Sequence, residues 1–362
     1  MKKEGLTKVE DGTAVLTVVV PAYNVEKYIE KCLESLLLQS VIAHKVIVVD
    51  DGSKDMTGGI AKKYASKYPD LITYLYQENA GLGAARNVGM KYVNTPYTCF
   101  LDSDDWLLPR TVERIMDALH RELEEPDIIF MTPKVYNMAT KRYEDWNDNQ
   151  QLFGIFEGLT VTCPSEKPEM YALEASVCRC VWRSEFLKEY DFSFPEGIKW
   201  EDVFPHFYLF HWARRCILVR DAGFCYRINS GNQITSLVSD ARLDIITVFA
   251  STLAYAMEHN WSDIEIAYII NMMIQFSQWS LVASTSAVQR RMVKSLHFLY
   301  RAVPKYYYQV YQKELRPGRK RYLLWRLLRT PVLYHLLSDY HLVENGQRII
   351  KKMRLLKGRV HK

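Results

Sequence analysis

The sequence predicts an α/β fold in which a mostly parallel sheet is flanked by helices, together with a helical C-terminal region. Strand-like and helix-like runs alternate through the first 130 residues, polar turns follow the strand-like runs, and helical periodicity alone remains beyond residue 237. With 362 residues, of which 48% are apolar and 25% charged, the chain is long enough for two domains.

The first two strand–helix units are predicted from hydrophobic pattern. Residues 15–20 form a run rich in β-branched side chains that Pro21 closes, and apolar residues then recur at helical spacing from Val25 to Leu37. Residues 45–49 predict a second buried strand, and a helix through Ile60 follows it.

The alternation continues with a strand at residues 72–76, a helix opened by residues 80–83 and a strand at residues 97–101. This order favours a parallel sheet covered by helices on both faces. Ligands of such sheets bind beyond the carboxyl ends of the strands. We therefore expect the polar segments 21–24, 50–53 and 102–105 to line one crevice.

Regular alternation decays beyond Thr132, and residues 143–168 are typical of irregular polar segments with short strands. Periodic order returns at residues 201–211. Helices are predicted at residues 245–257, 264–281 and 288–300. From these changes we predict a catalytic domain at 1–240, a helical region at 241–315 and a basic amphipathic tail at 316–362.

Three carboxylates, those of Asp102, Asp104 and Asp105, follow the apolar strand at residues 97–101. Like charges gathered at a sheet edge are costly unless a cation lies between them. Their hard oxygen ligands suit Mg²⁺ or Mn²⁺, ions that normally accompany a phosphorylated substrate. The alternative is a solvated acidic turn whose Asp caps the next helix.

Five segments together resemble the family 2 inverting glycosyltransferases of the bacterial cell-surface polysaccharide type. They are Thr17–Asn24, Val48–Ser53, Gly81–Asn87, Leu101–Asp105 and Glu201–Phe204, with Tyr226–Arg227 and Gln233–Thr235 as further similarities. The resemblance covers roughly residues 14–240. It implies a GT-A fold, a nucleotide-sugar donor that is usually UDP-linked, and a divalent metal, Mn²⁺ or Mg²⁺.

The resemblance also implies roles for individual residues. The residues predicted to bind the nucleotide are Pro21, Ala22, Tyr23, Asn24, Asp50, Arg86, Asp102 and Arg227. Asp50 is expected to accept the uracil N3–H in a charge-assisted hydrogen bond, whereas Asp51 is expected to cap its turn. The alternative for the segments 21–24 and 50–53 is a set of ordinary strand-to-helix turns.

The metal is predicted to bind Asp104 and Asp102 and to stabilise the charge that develops on the leaving group. Asp105 is expected either to face the donor sugar or to start the helix predicted at Pro109. Arg227, with Gln233 and Thr235, is expected to close over the diphosphate, or else to lie in a surface turn.

Arg86 ends a Gly81-x-Gly83-x-x-Arg86 segment that partly matches a dinucleotide-binding fingerprint. Arg replaces the third glycine, which would obstruct close helix–strand contact, so a nicotinamide enzyme is disfavoured. We expect the Arg86 guanidinium to serve the nucleotide, to brace Asp102, or to form a structural ion pair.

Inverting transfer needs a base that deprotonates the acceptor hydroxyl. Similarity to the family places this base at Asp202, with Glu201 as the fallback. Trp200 offers an apolar platform for a donor or acceptor sugar ring and would raise the pKa of a neighbouring carboxylate. The alternative for the two acids is the first turn of a helix, where acids complement the macrodipole.

Seven cysteines, an odd number without a matched pair of metal-binding spacings, favour reduced thiols in the cytosol over disulfides or zinc. No run of about 18 apolar residues predicts a membrane helix, and the first five residues lack the apolar core of a signal peptide.

The net charge of +5 hides an asymmetry: thirteen Lys and Arg residues and two acids lie from Arg316 onward, a local charge of +11. Residues 319–329 and 349–357 mix basic and large apolar side chains. Such segments bind anionic membrane surfaces. The alternatives are a solvated helix that contacts the protein and, less favoured, nucleic acid, for which no fingerprint domain is present.

These observations predict a metal-dependent inverting glycosyltransferase at the cytoplasmic face of the membrane. Its acceptor is expected to be a growing cell-surface glycan, with a lipid-linked glycan as one candidate. One alternative is a sugar nucleotidyltransferase, which would carry a glycine-rich loop where this chain has residues 21–24. A second alternative is a non-catalytic carbohydrate-binding relative, against which the complete set of acids argues.

Overall fold

The computed structural model describes residues 14–42, 44–229, 240–318 and 329. The chain divides into two compact units, Met1–Gln233 and Ile234–Lys362. Residues 233–235 and the predicted tail, apart from residues 316–318 and 329, lie outside the described residues.

The described strands all belong to the first unit. They are β1 (Leu16–Ala22), β2 (His44–Asp51), β3 (Ile72–Gln77), β4 (Tyr97–Phe100), β5 (Trp106–Leu107), β6 (Ile128–Met131), β7 (Lys134–Asn137), β8 (Arg142–Asp145), β9 (Val161–Thr162), β10 (Cys180–Arg183), β11 (Cys216–Val219) and β12 (Phe224–Ile228). Eight of them form one sheet in the order β3-β2-β1-β4-β10-β6-β11-β9, and four form a second sheet in the order β5-β12-β7-β8.

The first four strands of the large sheet, β1 to β4, are parallel neighbours, as the βαβα pattern predicts. All seven residues of β1 are buried, because helices cover both faces of a parallel sheet. β10 is antiparallel to both β4 and β6, and it joins this parallel half to the rest of the sheet.

The helices of the first unit lie between the strands. They are α1 (Ile29–Leu37), α2 (Thr57–Lys67), α3 (Leu82–Met90), α4 (Thr111–Leu119), α5 (Asn149–Ile155), α6 (Ser184–Glu189) and α7 (Val203–Trp212). Helix α3 contacts β1 and β2. A Cβ at Gly89 would collide with Val19 of β1, so glycine permits this close approach.

The described part of the second unit is helical. Its helices are α8 (Asp244–Glu258), α9 (Asp263–Val282), α10 (Ser286–Ala302) and α11 (Lys305–Leu315). Ser262 and Glu265 start α9 with a reciprocal capping box. Among the residues described in either unit, no helix is both long and apolar enough to cross a membrane.

The predicted fold class is confirmed: an α/β unit with a large, mostly parallel sheet is followed by helices. Some details differ from the sequence prediction, and helix α5 is one of them: it lies within residues 143–168, which were expected to form irregular segments with short strands. The helix expected from Pro109 begins at Thr111, because the chain first forms the short strand β5. Helix α11 was not predicted at all.

Candidate active site

The carboxyl ends of β2, β1 and β4 lie side by side, since these strands are neighbours in the sheet. The turns that follow them carry the three polar segments singled out in the sequence. Asn24 links two of these turns: its backbone N–H donates to Ser53 Oγ at 3.1 Å, and its Oδ1 accepts from the Lys54 N–H at 2.8 Å. Asn24 adopts a left-handed backbone conformation, with φ 51°.

The ring of Tyr23 is 45% exposed above this turn, whereas Pro21 and Ala22 complete β1 and are buried. Tyr23 is therefore an exposed aromatic residue directly after β1.

Asp50 is 2% exposed, and its carboxylate already accepts two hydrogen bonds. The Ser53 N–H donates to Oδ1 at 2.9 Å, and the Tyr74 hydroxyl donates to Oδ2 at 2.7 Å. The Asp50 carboxylate is therefore buried at the end of β2, with its orientation fixed by Ser53 and Tyr74.

Asp51 does not cap the turn that follows it. Its oxygens accept from the backbone N–H groups of Ala80 at 2.8 Å and Gly81 at 2.9 Å, and from the Gln77 side chain at 2.7 Å. Asp51 therefore fixes the loop that starts helix α3.

The centre of the site is the buried guanidinium of Arg86, which is 1% exposed. Its Nη2 donates to Asp102 Oδ1 at 2.9 Å. Its Nη1 donates to Glu201 Oε1 at 2.9 Å and to Asp202 Oδ1 at 2.6 Å. One cation thus joins the acid after β4 to the two acids before α7.

This concentration of carboxylates around one cation shifts their titration. Burial raises the pKa of Glu201 to about 7, although Arg86 opposes the shift. Burial likewise raises the pKa of Asp202, again against the effect of Arg86. Burial acts against the charge of Arg86, but Asp202, Asp102 and Glu201 raise its pKa above the usual value.

Asp202 occupies the N-cap position of α7, yet its side chain makes no capping hydrogen bond. Its Oδ2 accepts instead from the Val177 N–H at 3.2 Å. The Asp202 side chain is 20% exposed against 6% for Glu201, so Asp202 is the more accessible of the two carboxylates.

Asp105 was expected either to face the donor sugar or to start a helix, and its position fits neither expectation. It is completely buried, and its Oδ1 accepts from the Arg227 backbone N–H at 2.8 Å. Burial, together with Asp104 and Asp102, raises its pKa well above the ordinary value. In this structure Asp105 neither faces the crevice nor starts a helix, because β5 follows it directly.

Arg227 was expected to close over a diphosphate, but its side chain is buried. It lies on β12, is 5% exposed, and its Nε donates to the Asp104 carbonyl at 2.7 Å. Its guanidinium lies 4.7 Å from the ring centres of both Tyr28 and Trp106. Arg227 therefore stabilises the acidic segment through hydrogen bonds to Asp104 and Asp105.

Two carboxylates remain available for a cation. Asp102 is 32% exposed, and Asp104 is partly exposed. Burial and the charge of Asp102 raise the pKa of Asp104 to about 6, against the opposing effect of Arg227. Across the described ranges, no group of three or more His, Cys, Asp or Glu residues is arranged to hold a metal. A site of two carboxylates suits Mg²⁺ or Mn²⁺, because these ions take their remaining ligands from phosphates and water.

Trp200 is half-buried and directly precedes the acids, with a left-handed φ of 67° that is unusual for a large side chain.

His206, in α7, is buried, and its Nε2 lies 3.2 Å from the Tyr171 carbonyl oxygen, as expected for a core residue. All seven cysteines are buried and unoxidised.

Two contributors were missed from the sequence. Tyr74 is recognisable only once β3 is placed beside β2, where it reaches Asp50. Val177 contributes a backbone N–H, which no side-chain pattern reveals.

The first unit is similar to known glycosyltransferases. Residues 17–169 match the family model described as glycosyl transferase family 2. Over 260 residues the chain is 27% identical to the putative glycosyltransferase EpsH of Bacillus subtilis, covering 68% of this chain and 71% of EpsH. Over 138 residues it is 38% identical to the glycosyltransferase GlyA of Streptococcus pneumoniae, covering 38% of this chain but only 18% of GlyA.

A solved structure has the same fold. The crystal structure of residues 1–349 of TarS from S. aureus, in complex with UDP-GlcNAc, superposes with a TM-score of 0.66 at 23% identity. The match covers 90% of each chain.

Proposed function

Because residues 17–169 match the glycosyl transferase family 2 model, we propose that the chain transfers a sugar from a nucleotide-sugar to a hydroxyl group of a glycan, with inversion at the anomeric carbon. The donor is a UDP-sugar, and the reaction requires Mn²⁺ or Mg²⁺. The observation that carries this proposal is the ion-pair cluster in which Arg86 joins Asp102 to Asp202 at the carboxyl edge of the sheet.

The nucleotide lies across the ends of β1 and β2. Tyr23 covers one face of the base, while Asp50 accepts its N3–H, and this charge-assisted bond selects uracil. The TarS structure was solved with UDP-GlcNAc, which supports a UDP-linked donor in a chain of the same fold.

Asp104 and Asp102 hold the divalent ion, which supplies positive charge to the diphosphate when it is bound. Arg86 fixes one oxygen of Asp102 at 2.9 Å and leaves the other oxygen available. The buried Asp105 and Arg227 hold the acidic segment in place, through the Asp105–Arg227 hydrogen bond and the Arg227–Asp104 hydrogen bond.

Asp202 is the general base. The acceptor oxygen attacks the anomeric carbon as its proton passes to Asp202, and the bond from that carbon to the phosphate oxygen breaks, so that UDP leaves with the electron pair. The accessible side chain of Asp202 and its raised pKa suit a carboxylate that takes up a proton from the acceptor hydroxyl. Trp200, next to the acids, offers an apolar face to a sugar ring.

The acceptor is a growing cell-surface glycan, and the basic segment at 316–362 holds the enzyme at the anionic inner face of the membrane. The sequence of that segment supports this part of the proposal, with its local charge of +11 and its interspersed large apolar residues.

The function is tested by incubating the protein with UDP-GlcNAc and Mn²⁺ and analysing the products. The proposal expects UDP, whereas a sugar nucleotidyltransferase would consume or release pyrophosphate. If neither UDP nor a transferred sugar is formed from any of a panel of UDP-sugars, the proposed donor class is wrong.

A further inference from the structure

The side chain of Asn87, on helix α3, forms three hydrogen bonds with the segment that leads to the proposed catalytic acids. Asn87 Nδ2 donates to the Phe194 carbonyl at 3.0 Å and to Glu196 Oε1 at 2.8 Å, and Asn87 Oδ1 accepts from the Phe194 N–H at 2.8 Å. Asn87 is 9% exposed, so these hydrogen bonds are largely shielded from water.

Two further residues of α3 contact the same segment. A Cβ at Gly83 would collide with the Pro195 carbonyl oxygen, so the glycine permits the close approach of the two backbones. The Arg86 guanidinium lies 5.2 Å from the centre of the Phe194 ring. Gly83, Arg86 and Asn87 lie on one face of the helix, at positions i, i+3 and i+4.

Three residues from Asp191 to Trp200 have a left-handed backbone conformation. Asp191, Gly197 and Trp200 all have positive φ values, of 44°, 67° and 67°. Non-glycine residues persist in this region only when their surroundings hold them there. The contacts with α3 at residues 194–196 provide such support a few residues before Asp202.

Helix α3 is in turn fixed from the nucleotide side. Asp51, at the end of β2, accepts hydrogen bonds from the Ala80 and Gly81 N–H groups at the start of the helix. The helix therefore links the strand end that carries Asp50 to the segment that carries Asp202.

We propose that Asn87 is a positioning residue of the transfer reaction, which holds residues 194–196 against α3 and thereby sets the location of Asp202 relative to the donor. This inference rests on the proposed function for the role of Asp202. It goes beyond that function because Asn87 acts through the backbone of another segment and touches neither the donor nor the acceptor.

The experiment displaces the segment in two independent ways. Asn87→Ala removes all three hydrogen bonds. Gly83→Ala leaves Asn87 intact but places a methyl group against the Pro195 carbonyl, and alanine favours a helix more than glycine does. A loss in the Gly83→Ala variant therefore cannot come from a weakened helix.

Each variant has a matched control in the same chain. Gly154→Ala, in α5, introduces a methyl group with no atom within 4 Å. Asn271→Ala, in α9, removes a buried asparagine that is 8% exposed. Neither control alters the contacts between α3 and residues 194–196.

The first measurement is the rate of amide hydrogen exchange at Val177, whose N–H donates a hydrogen bond to Asp202. This N–H is not hydrogen-bonded to Asn87 or Gly83. Faster exchange at Val177 is expected in Asn87→Ala and Gly83→Ala, with the amides of β2 unchanged. The second is UDP release from UDP-GlcNAc, for which kcat is expected to fall roughly 10- to 100-fold while the KM for the donor stays at the wild-type value.

Unchanged Val177 exchange and wild-type kcat in a folded Gly83→Ala or Asn87→Ala protein would overturn the inference. A fall in kcat matched by the Gly154→Ala and Asn271→Ala controls would also overturn it, since it would then reflect general destabilisation. If the wild type releases no UDP, the proposed donor fails, whereas the exchange comparison still decides whether Asn87 controls the Asp202 environment.

Discussion

Arg86 Nη1 lies 2.6 Å from Asp202 Oδ1 and so connects helix α3 to the start of α7, across 116 residues of sequence. Because the same guanidinium also binds Asp102 at 2.9 Å, the acid proposed to hold the metal and the acid proposed as the base share one buried cation. This arrangement fixes the separation of the two carboxylates.

Asp202→Asn tests the proposed base. Loss of general base catalysis lowers rates by roughly 100- to 10,000-fold, so transfer is expected to fall by that factor while UDP binding is retained. The measurement is steady-state transfer beside calorimetric titration with UDP. Glu201→Gln is the comparison: if it abolishes transfer and Asp202→Asn does not, the base is Glu201.

The raised pKa of Glu201 predicts how the free energy of unfolding depends on pH. Its pKa is raised from 4.5 to about 7 in the folded protein, so between these values the folded state binds more protons than the unfolded state. The free energy of unfolding should therefore fall as pH rises from about 4.5 to 7. Urea unfolding of Glu201→Gln is expected to show a weaker decline over this interval.

Glu113→Gln is the control for that series. Hydrogen bonds from Arg110 and Ser40 lower the pKa of Glu113 to about 2, so its contribution changes only below pH 4.5. The slope between pH 4.5 and 7 should be that of the wild type. An unchanged slope in Glu201→Gln would contradict the buried, proton-retaining carboxylate.

Much of this site follows from the sequence, for identifiable reasons. The positions of Asp50, Asp102 and Asp104 follow from strand ends, since buried apolar runs reveal where each strand stops and a parallel sheet brings those ends together. The contact of Arg86 with Asp202 does not follow, because it depends on how β10 and α7 are placed after the regular alternation has ended.

The sequence also did not predict which charged side chains are buried. Asp105 and Arg227 have the residue types of a ligand site, but the structure uses them beneath the acidic segment, where backbone groups satisfy part of their hydrogen bonding. A sequence does not show which of the three acids among residues 102–105 turns inward. That choice is set here by the β5–β12 pairing, which continues directly from Asp105.

Asp50→Asn tests recognition of the base. A hydrogen bond to a charged group contributes about 1.5–3 kcal/mol, so replacement of the carboxylate by an amide should weaken UDP binding about tenfold or more. CDP, whose N3 accepts a hydrogen bond and cannot donate one, should not lose affinity in Asp50→Asn. Competition binding measures the ratio of the UDP affinity to the CDP affinity in each variant. Tyr74→Phe is the control, because it removes only the hydroxyl that donates to Asp50.

Should the UDP-to-CDP ratio stay constant in Asp50→Asn and fall in Tyr74→Phe, the uracil would be recognised by Tyr74 rather than by Asp50.

Charge reversal at Arg319, Lys320 and Arg321 tests membrane attachment. Each basic residue near an anionic surface contributes about 1 kcal/mol, so three reversals should lower partitioning by roughly 100-fold or more. Sedimentation of the full chain with vesicles of phosphatidylglycerol and phosphatidylcholine measures this. The control reverses three lysines of α2, Lys62, Lys63 and Lys67, and equal loss in both variants would mean that the basic segment has no special role.

Calorimetric titration of the protein with UDP, with and without Mn²⁺, tests the central claim most directly: that Asp104 and Asp102 hold a divalent ion that binds the phosphates of a nucleotide. The expected result is binding that requires manganese, is lost in Asp104→Asn and is preserved in Asp145→Asn, which alters an exposed carboxylate on β8. Absence of UDP binding to the wild type at saturating manganese, or undiminished binding in Asp104→Asn, would contradict it.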